Sequence, residues 1–204
     1  GVAADYADTQ NGISKTLPLA FGWIATGVLI LLFLFTGSII LPIKAVVLNI
    51  ISLAAMMGAV TWIFMGGHLG WLVGSFTNTH SIDTSMVILV SVVTFALSMD
   101  YEVFLLSRIK EEHESGMNNE DAVATGLQRS ARIITAAAFL LAIAFAAFMT
   151  SGVTNIKTLG FGVAFAVLID ATVVRGLLVP ALMRLFGERN WWAPQWMKRF
   201  SISH

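Results

Sequence analysis

Long, nearly unbroken apolar runs dominate this chain, separated by short polar stretches. Five runs come close to the roughly 17–25 residues a helix needs to cross a bilayer. They cover about 17–36, 43–65, 84–107, 133–149 and 157–186, the last interrupted late by Pro180. A short turn (37–42) joins the first two, and a polar loop rich in Gly and Thr (66–83) joins the second to the third. A hydrophilic connector (108–129) leads into the fourth run, and residues 150–156 lead into the fifth. The pattern predicts an all-α integral membrane protein, a five-helix transmembrane bundle.

Composition strengthens that reading. The chain of 204 residues is 57% hydrophobic and only 12% charged, where soluble domains carry about 25% charged residues. With a mean hydropathy of +0.81, the chain has more apolar surface than a water-soluble fold of this size can bury. The formal net charge is zero, so there is no basic excess to attract nucleic acid. The chain contains no cysteine, which removes disulfides, thiolate metal sites and thiol nucleophiles from consideration. Residues 1–16 are polar, with Asp5 and Asp8, and lack the pattern of a secretory signal. They read as the end of a periplasmic region that precedes the first span.

Lys and Arg concentrate on the cytoplasmic side of membrane proteins. With the N-terminus outside and five crossings, Lys44, Arg108, Lys110, Arg129, Arg132, Arg184, Arg189, Lys198 and Arg199 fall inside. Only Lys15 and Lys157 fall outside, and Arg175 lies within the last span. The expected topology is N-terminus outside and C-terminus cytoplasmic, with 187–204 a cytoplasmic interfacial tail. In that tail Trp191, Trp192 and Trp196 read as an aromatic anchor beside Lys198 and Arg199.

Three acids lie inside the expected spans: Asp100 and Glu102 in the third and Asp170 in the fifth. A carboxylate within a spanning helix costs roughly 2.5–3.5 kcal/mol on insertion scales, so each is a functional candidate by default. Two residues of helix turn about 200°, so Asp100 and Glu102 are expected to point in different directions. Arg175 is five residues beyond Asp170, about 140° around an α-helix, and so is poorly placed to pair with it on the same helix. A carboxyl that takes up and releases protons within a cycle can draw on a proton gradient. One charge crossing the field gains about 2.3 kcal/mol per 100 mV, and each pH unit adds about 1.4. The plainer alternative for these acids is a structural hydrogen bond between helices.

Other features read as architecture. Asn118 can cap a surface helix in the connector, with Glu120 and Asp121 near the positive end of its dipole. Gly162, Ala166 and Asp170 share one helix face, so close packing leads along that face to an acid. Gly160-Phe161-Gly162 follows no strand and is not a nucleotide motif. His68, His80 and His113 are expected in solvent-exposed loops without metal-ligand spacing. No Gly-x-Ser-x-Gly nucleophile motif is present, and neither a catalytic role nor a cofactor is expected.

Ser98-Met99-Asp100-Tyr101-Glu102-Val103-Phe104-Leu105-Leu106-Ser107-Arg108 closely resembles the signature of the MmpL (mycobacterial membrane protein large) family of the resistance–nodulation–division (RND) superfamily. Residues 127–138, 168–175, 178–183 and 190–194 fit as well, so the likeness covers nearly the whole chain. It points to the family's C-terminal membrane half. The resemblance implies a proton-motive-force-driven exporter of lipids or glycolipids in the bacterial inner membrane, with protons as the coupling ion. It implies Asp100 and Tyr101 as the proton-relay pair of this half and Asp170 and Arg175 as part of the same network. Beside them Glu102 and Ser107 are accessory candidates, Glu102 being equally readable as a buried polar partner for a connector cation. The family has about twelve spans, two such Asp-Tyr pairs and periplasmic porter domains. This chain carries one pair and five spans. The expectation is therefore a fragment or half-sized protein that needs the N-terminal half and porter domains, or a second copy. The rival expectation is a non-transporting membrane scaffold or sterol-sensing-like module, in which Asp100 is only a structural hydrogen-bonding group.

Overall fold

The computed structural model describes residues 2–66 and 84–194, with side chains from Pro18 in the first segment and from Ser85 in the second. All of the expected 66–83 loop after Gly66, with His68 and His80, the Lys15 side chain, and the tail from 195 with Trp196, Lys198 and Arg199 lie outside the described residues.

Among the described residues all regular secondary structure is helical, and five helices are long and apolar enough to cross a membrane. They are α1 (Val2–Thr36), α2 (Ile40–Val60), α3 (Thr84–Glu114), α4 (Asn119–Ala146) and a fifth made of three joined pieces. The fifth consists of α5 (Thr154–Ile169), a π-helical segment (Asp170–Leu178) and α6 (Val179–Phe186). Short π and 3-10 turns extend α2 to Met65 and α4 to Thr150, and a 3-10 turn, Gly187–Trp191, follows α6.

Spans three and four are longer than the apolar runs alone indicate. At 1.5 Å per residue, the 31 residues of α3 are about 46 Å long against a hydrocarbon core of about 30 Å. The hydrophilic connector is thus two helix extensions and a tight turn. Nothing before Gly116 breaks the helix, and Arg108–Glu111 (2.8 Å) and Lys110–Glu114 (3.4 Å) are pairs at helical spacing. Gly116 then turns the chain at φ 102°, a conformation open to glycine. Asn118 caps α4 as expected, its side-chain oxygen accepting from the Asp121 N–H at 2.9 Å. The face of this region is less solvated than its charges imply, because Arg129 pairs with a Glu112 side chain that is almost fully buried.

Regular stripes draw the helices together. On α4 the buried positions Ala122, Gly126, Ser130, Ile134, Ala138 and Ala142 recur every fourth residue. A Cβ on Gly126 would sit 2.9 Å from the Ile109 Cα, so α3 and α4 cross with backbones nearly touching. The expected face of α5 is borne out. A Cβ on Gly162 would lie 2.8 Å from a Val90 methyl, Ala166 is buried, and Asp170 follows on the same side. By contrast α1 is tied to the bundle near its C-terminal end, through Val28, Leu32 and Thr36.

Two apolar clusters result. One gathers Leu32, Leu41, Leu48, Leu105, Ile109 and Met183 near the ends of α1 and α3. The other gathers Met56, Val60, Phe64, Val90, Phe161 and Val167 farther along the helices. Between them in sequence, on three different helices, come Ser52, Ser98, Asp170 and Arg175, all buried. They form a polar layer between two apolar ones.

Candidate functional site: a buried charge pair and an outward-facing acid

The centre of the polar layer is Asp170 and Arg175, 3% and 1% exposed. The Asp170 Oδ2 accepts from Arg175 Nε at 2.8 Å and from Nη2 at 2.7 Å. Spacing on an α-helix argued against this pair, and the structure corrects that expectation. The segment Asp170–Leu178 is π-helical, with the Val179 N–H bonded to the Val174 carbonyl, so residues five apart stack along one face. Pro180 supplies a local reason for the wider turn. It has no N–H, and its ring crowds the carbonyl four residues back, at Gly176. The chain accordingly stays helical across Pro180, which occupies the first turn of α6.

Neighbouring helices complete the pair. Ser98 of α3 donates to the Asp170 Oδ1 at 2.9 Å, and Ser52 of α2 donates to the same oxygen at 3.4 Å. Arg175 Nη2 also donates to the Ser98 backbone carbonyl. The Arg175 guanidinium carbon lies 5.2 Å from the Tyr101 ring centre, a cation–π distance. A buried charge pair with its remaining lone pairs satisfied by hydroxyls is the arrangement in which desolvation is best offset. The serines were not singled out from the sequence. Single serines on apolar helices carry no periodic signal, and only the packing of α2 and α3 against the π-segment gives them partners.

Asp100 lies elsewhere. It is exposed, on an outward stripe of α3 with Leu89, Val92, Ala96 and Val103. The expectation that Asp100 and Glu102 point apart holds, since Glu102 is 4% exposed and faces the bundle interior. Tyr101, between them, is half-buried and connects the two sides through its contact with Arg175. The Ser107 hydroxyl donates to its own helix, to the Phe104 carbonyl at 2.7 Å, and takes no part in the charge pair's hydrogen bonds.

At the end where α1, α3 and α6 finish, a second polar cluster holds the 3-10 turn in place. Asn190 is fully buried. Its amide donates to the carbonyls of Met183 and Gly187, both at 2.6 Å, while its oxygen accepts from Lys44 Nζ. Ser38, in the turn between α1 and α2, donates to the Asn190 carbonyl, and the Ile39 N–H reaches the Trp192 carbonyl at 3.2 Å. Two expectations change here. His113 is neither in a loop nor freely exposed: it lies in the last turn of α3, its ring stacked on Trp191 with centres 4.2 Å apart. Trp191 is accordingly a packing residue of this cluster, its indole N–H donating to Asn119 at 3.1 Å. Trp192 remains exposed.

Five apolar helices around a buried charge pair define a multi-pass membrane protein. The chain belongs to the MMPL family, whose model matches residues 1–201. It is 44% identical to the putative membrane protein SCO6666 of Streptomyces coelicolor, over 98% of this chain and 28% of that protein. It is 42% identical to the trehalose monomycolate exporter MmpL3 of Mycobacterium tuberculosis, over 98% of this chain and 21% of the relative. It is 39% identical to the mycolic acid-containing lipids exporter MmpL11 of Mycolicibacterium smegmatis, again over 98% and 21%. The chain thus spans between a fifth and a third of the length of these relatives. MmpL3 and MmpL11 carry lipid-export names, and SCO6666 is named only as a membrane protein.

Proposed function

We propose that this chain is the C-terminal membrane half of a proton-motive-force-driven lipid or glycolipid exporter of the bacterial inner membrane. Asp100 is its proton carrier, Tyr101 the hydrogen-bonding partner of that carrier, and Asp170 with Arg175 the charged network behind them. The observation that carries this reading is the outward stripe of α3. A lipid-facing surface has no use for a carboxylate, and intramembrane acids face protein or a wet path. Asp100 is exposed beside Ala96, a small residue that lets another helix approach closely. The reading makes this stripe the face that meets the N-terminal half with its own Asp-Tyr pair, and periplasmic porter domains complete the protein. In it the end bearing Lys44, Lys110, Arg184 and Arg189 is cytoplasmic and the N-terminus lies outside.

Protonation of Asp100 removes a charge from the seam between the halves, and deprotonation restores it. A few protons falling through the gradient supply enough free energy to tilt a conformational equilibrium of a few kcal/mol. Tyr101 follows Asp100 in α3 and has its ring against Arg175, and in this reading it carries a change at Asp100 to the guanidinium. The test is lipid transport by the full-length protein carrying this segment, reconstituted in proteoliposomes with an imposed proton gradient. Asp100→Asn is expected to abolish coupled transport while leaving membrane insertion intact. Wild-type transport by that variant would sink the proposal.

A further inference from the structure

Glu102 has no part in the hydrogen bonds of the Asp170–Arg175 pair, yet it is buried in α3 one turn beyond Ser98, and among the described residues it makes no salt bridge such as the one that Glu112 makes with Arg129. Its Oε2 has no hydrogen-bond partner among the described residues, and neither does Arg175 Nη1. Beside Glu102 lies a small cavity of about 10 Å³, walled by Leu48, Leu106 and Met183 and bordered by Lys44. That is about the space one water requires. Three groups from the helices packed around Glu102 act on it electrostatically: Arg175 and Asp170 of the fifth span and Lys44 of α2. On its own helix Tyr101 is adjacent in sequence and Asp100 is two residues away, but Asp100 faces outward. Lys44 in turn is bonded to Asn190, so the cavity abuts the polar cluster at the helix ends.

A carboxylate with a free buried oxygen, a water-sized space beside it and a cation across that space is equipped to hold a proton inside the bundle. A neutral carboxyl needs fewer partners here than an anion does. We propose that Glu102 is a second proton-binding site of this membrane segment, reached from the Lys44–Asn190 end and lying behind the Asp170–Arg175 pair rather than on the Asp100 face. This deepens the proton-coupled reading and rests on it for what the bound proton accomplishes. Glu102 acts as an interior holding point, so that protons leave or enter by the end where Asn190 clamps the 3-10 turn.

Infrared difference spectroscopy of the full-length protein in lipid, taken through a pH titration, reads protonated carboxyls by their C=O stretch. The wild type is expected to show a titrating band that is lost in Glu102→Gln, kept at a changed frequency in Glu102→Asp, and still present in Asp100→Asn. Identical titrating bands in wild type, Glu102→Gln and Glu102→Asp would overturn the proposal. If Glu102→Gln does not insert, the comparison of wild type with Glu102→Asp decides alone: a band that moves supports the site and an unmoved one removes it. The readout is proton binding, not lipid movement. Failure of the Asp100 mechanism would therefore appear in transport with the Glu102 band intact, and failure at Glu102 would appear in the spectra whatever Asp100 does.

Discussion

Asp170 and Asp100 are both carboxylates set within apolar helices, and the chain treats them in opposite ways. Asp170 is enclosed, with Arg175, Ser98 and Ser52 from three helices around its two oxygens. Asp100 stands exposed on a stripe whose other members are apolar. The difference separates a charge whose partners lie within this chain from one with no hydrogen-bond partner among the described residues. Enclosure makes a group structural and sensitive to any loss of its neighbours. Exposure leaves it free to respond to something else.

Breaking the enclosed side should give the largest effect. Arg175→Met leaves Asp170 buried without its counter-charge and is expected to cost about 3–5 kcal/mol, read as a large drop in the thermal unfolding midpoint of the detergent-solubilised full-length protein. Replacing both partners, Asp170→Leu with Arg175→Met, should recover much of that loss, since a buried pair exchanged for apolar side chains is often near neutral. A single Arg175 variant that melts like wild type would erase the contrast.

Asn190→Ala tests enclosure at the helix ends. Removing its amide takes a hydrogen bond from the Met183 and Gly187 carbonyls and from the Lys44 ammonium, although the Met183 carbonyl keeps Asn119 Nδ2 and Lys44 keeps the Met183 sulfur and the Phe186 ring. A loss of about 1–3 kcal/mol is expected, with faster hydrogen exchange at Gly187–Trp191. A glycine pair sharpens the comparison without charge. Gly126→Ala pushes a methyl into the Ile109 backbone and should cost about 1–3 kcal/mol, whereas Gly27, with nothing within 4 Å, should accept alanine without loss. Equal melting of these two variants would mean that α3 and α4 do not cross where Gly126 meets Ile109. Smallest of all on stability is Asp100→Asn, expected within about 0.5 kcal/mol because no described partner is lost. Its effect should be confined to transport.

Much of this was legible in the chain. Apolar run length sets the number of spans because a bilayer has a fixed thickness, and the rotation per residue separates Asp100 from Glu102 on any α-helix. Asn118 announced its cap, and Gly162, Ala166 and Asp170 announced their shared face. The Asp170–Arg175 pair was hidden because spacing rules assume 3.6 residues per turn, and the fifth span departs from that just before Pro180. His113 and Trp191 were hidden for a different reason. The sequence suggested a solvent-exposed His113 and an interfacial anchor for Trp191, but the 3-10 turn after α6 folds back over the end of α3 and stacks the two rings.

The sequence by itself determined that this is a membrane bundle of five helices, with acids in the third and fifth and most cations on one set of connections, because hydrophobic length and residue type act locally. Only the tertiary structure decided which acid is enclosed and which faces out. That choice depends on which helices cross, on how closely glycines let them approach, and on a π-turn that aligns residues five apart. These are properties of packing, and no single segment contains them.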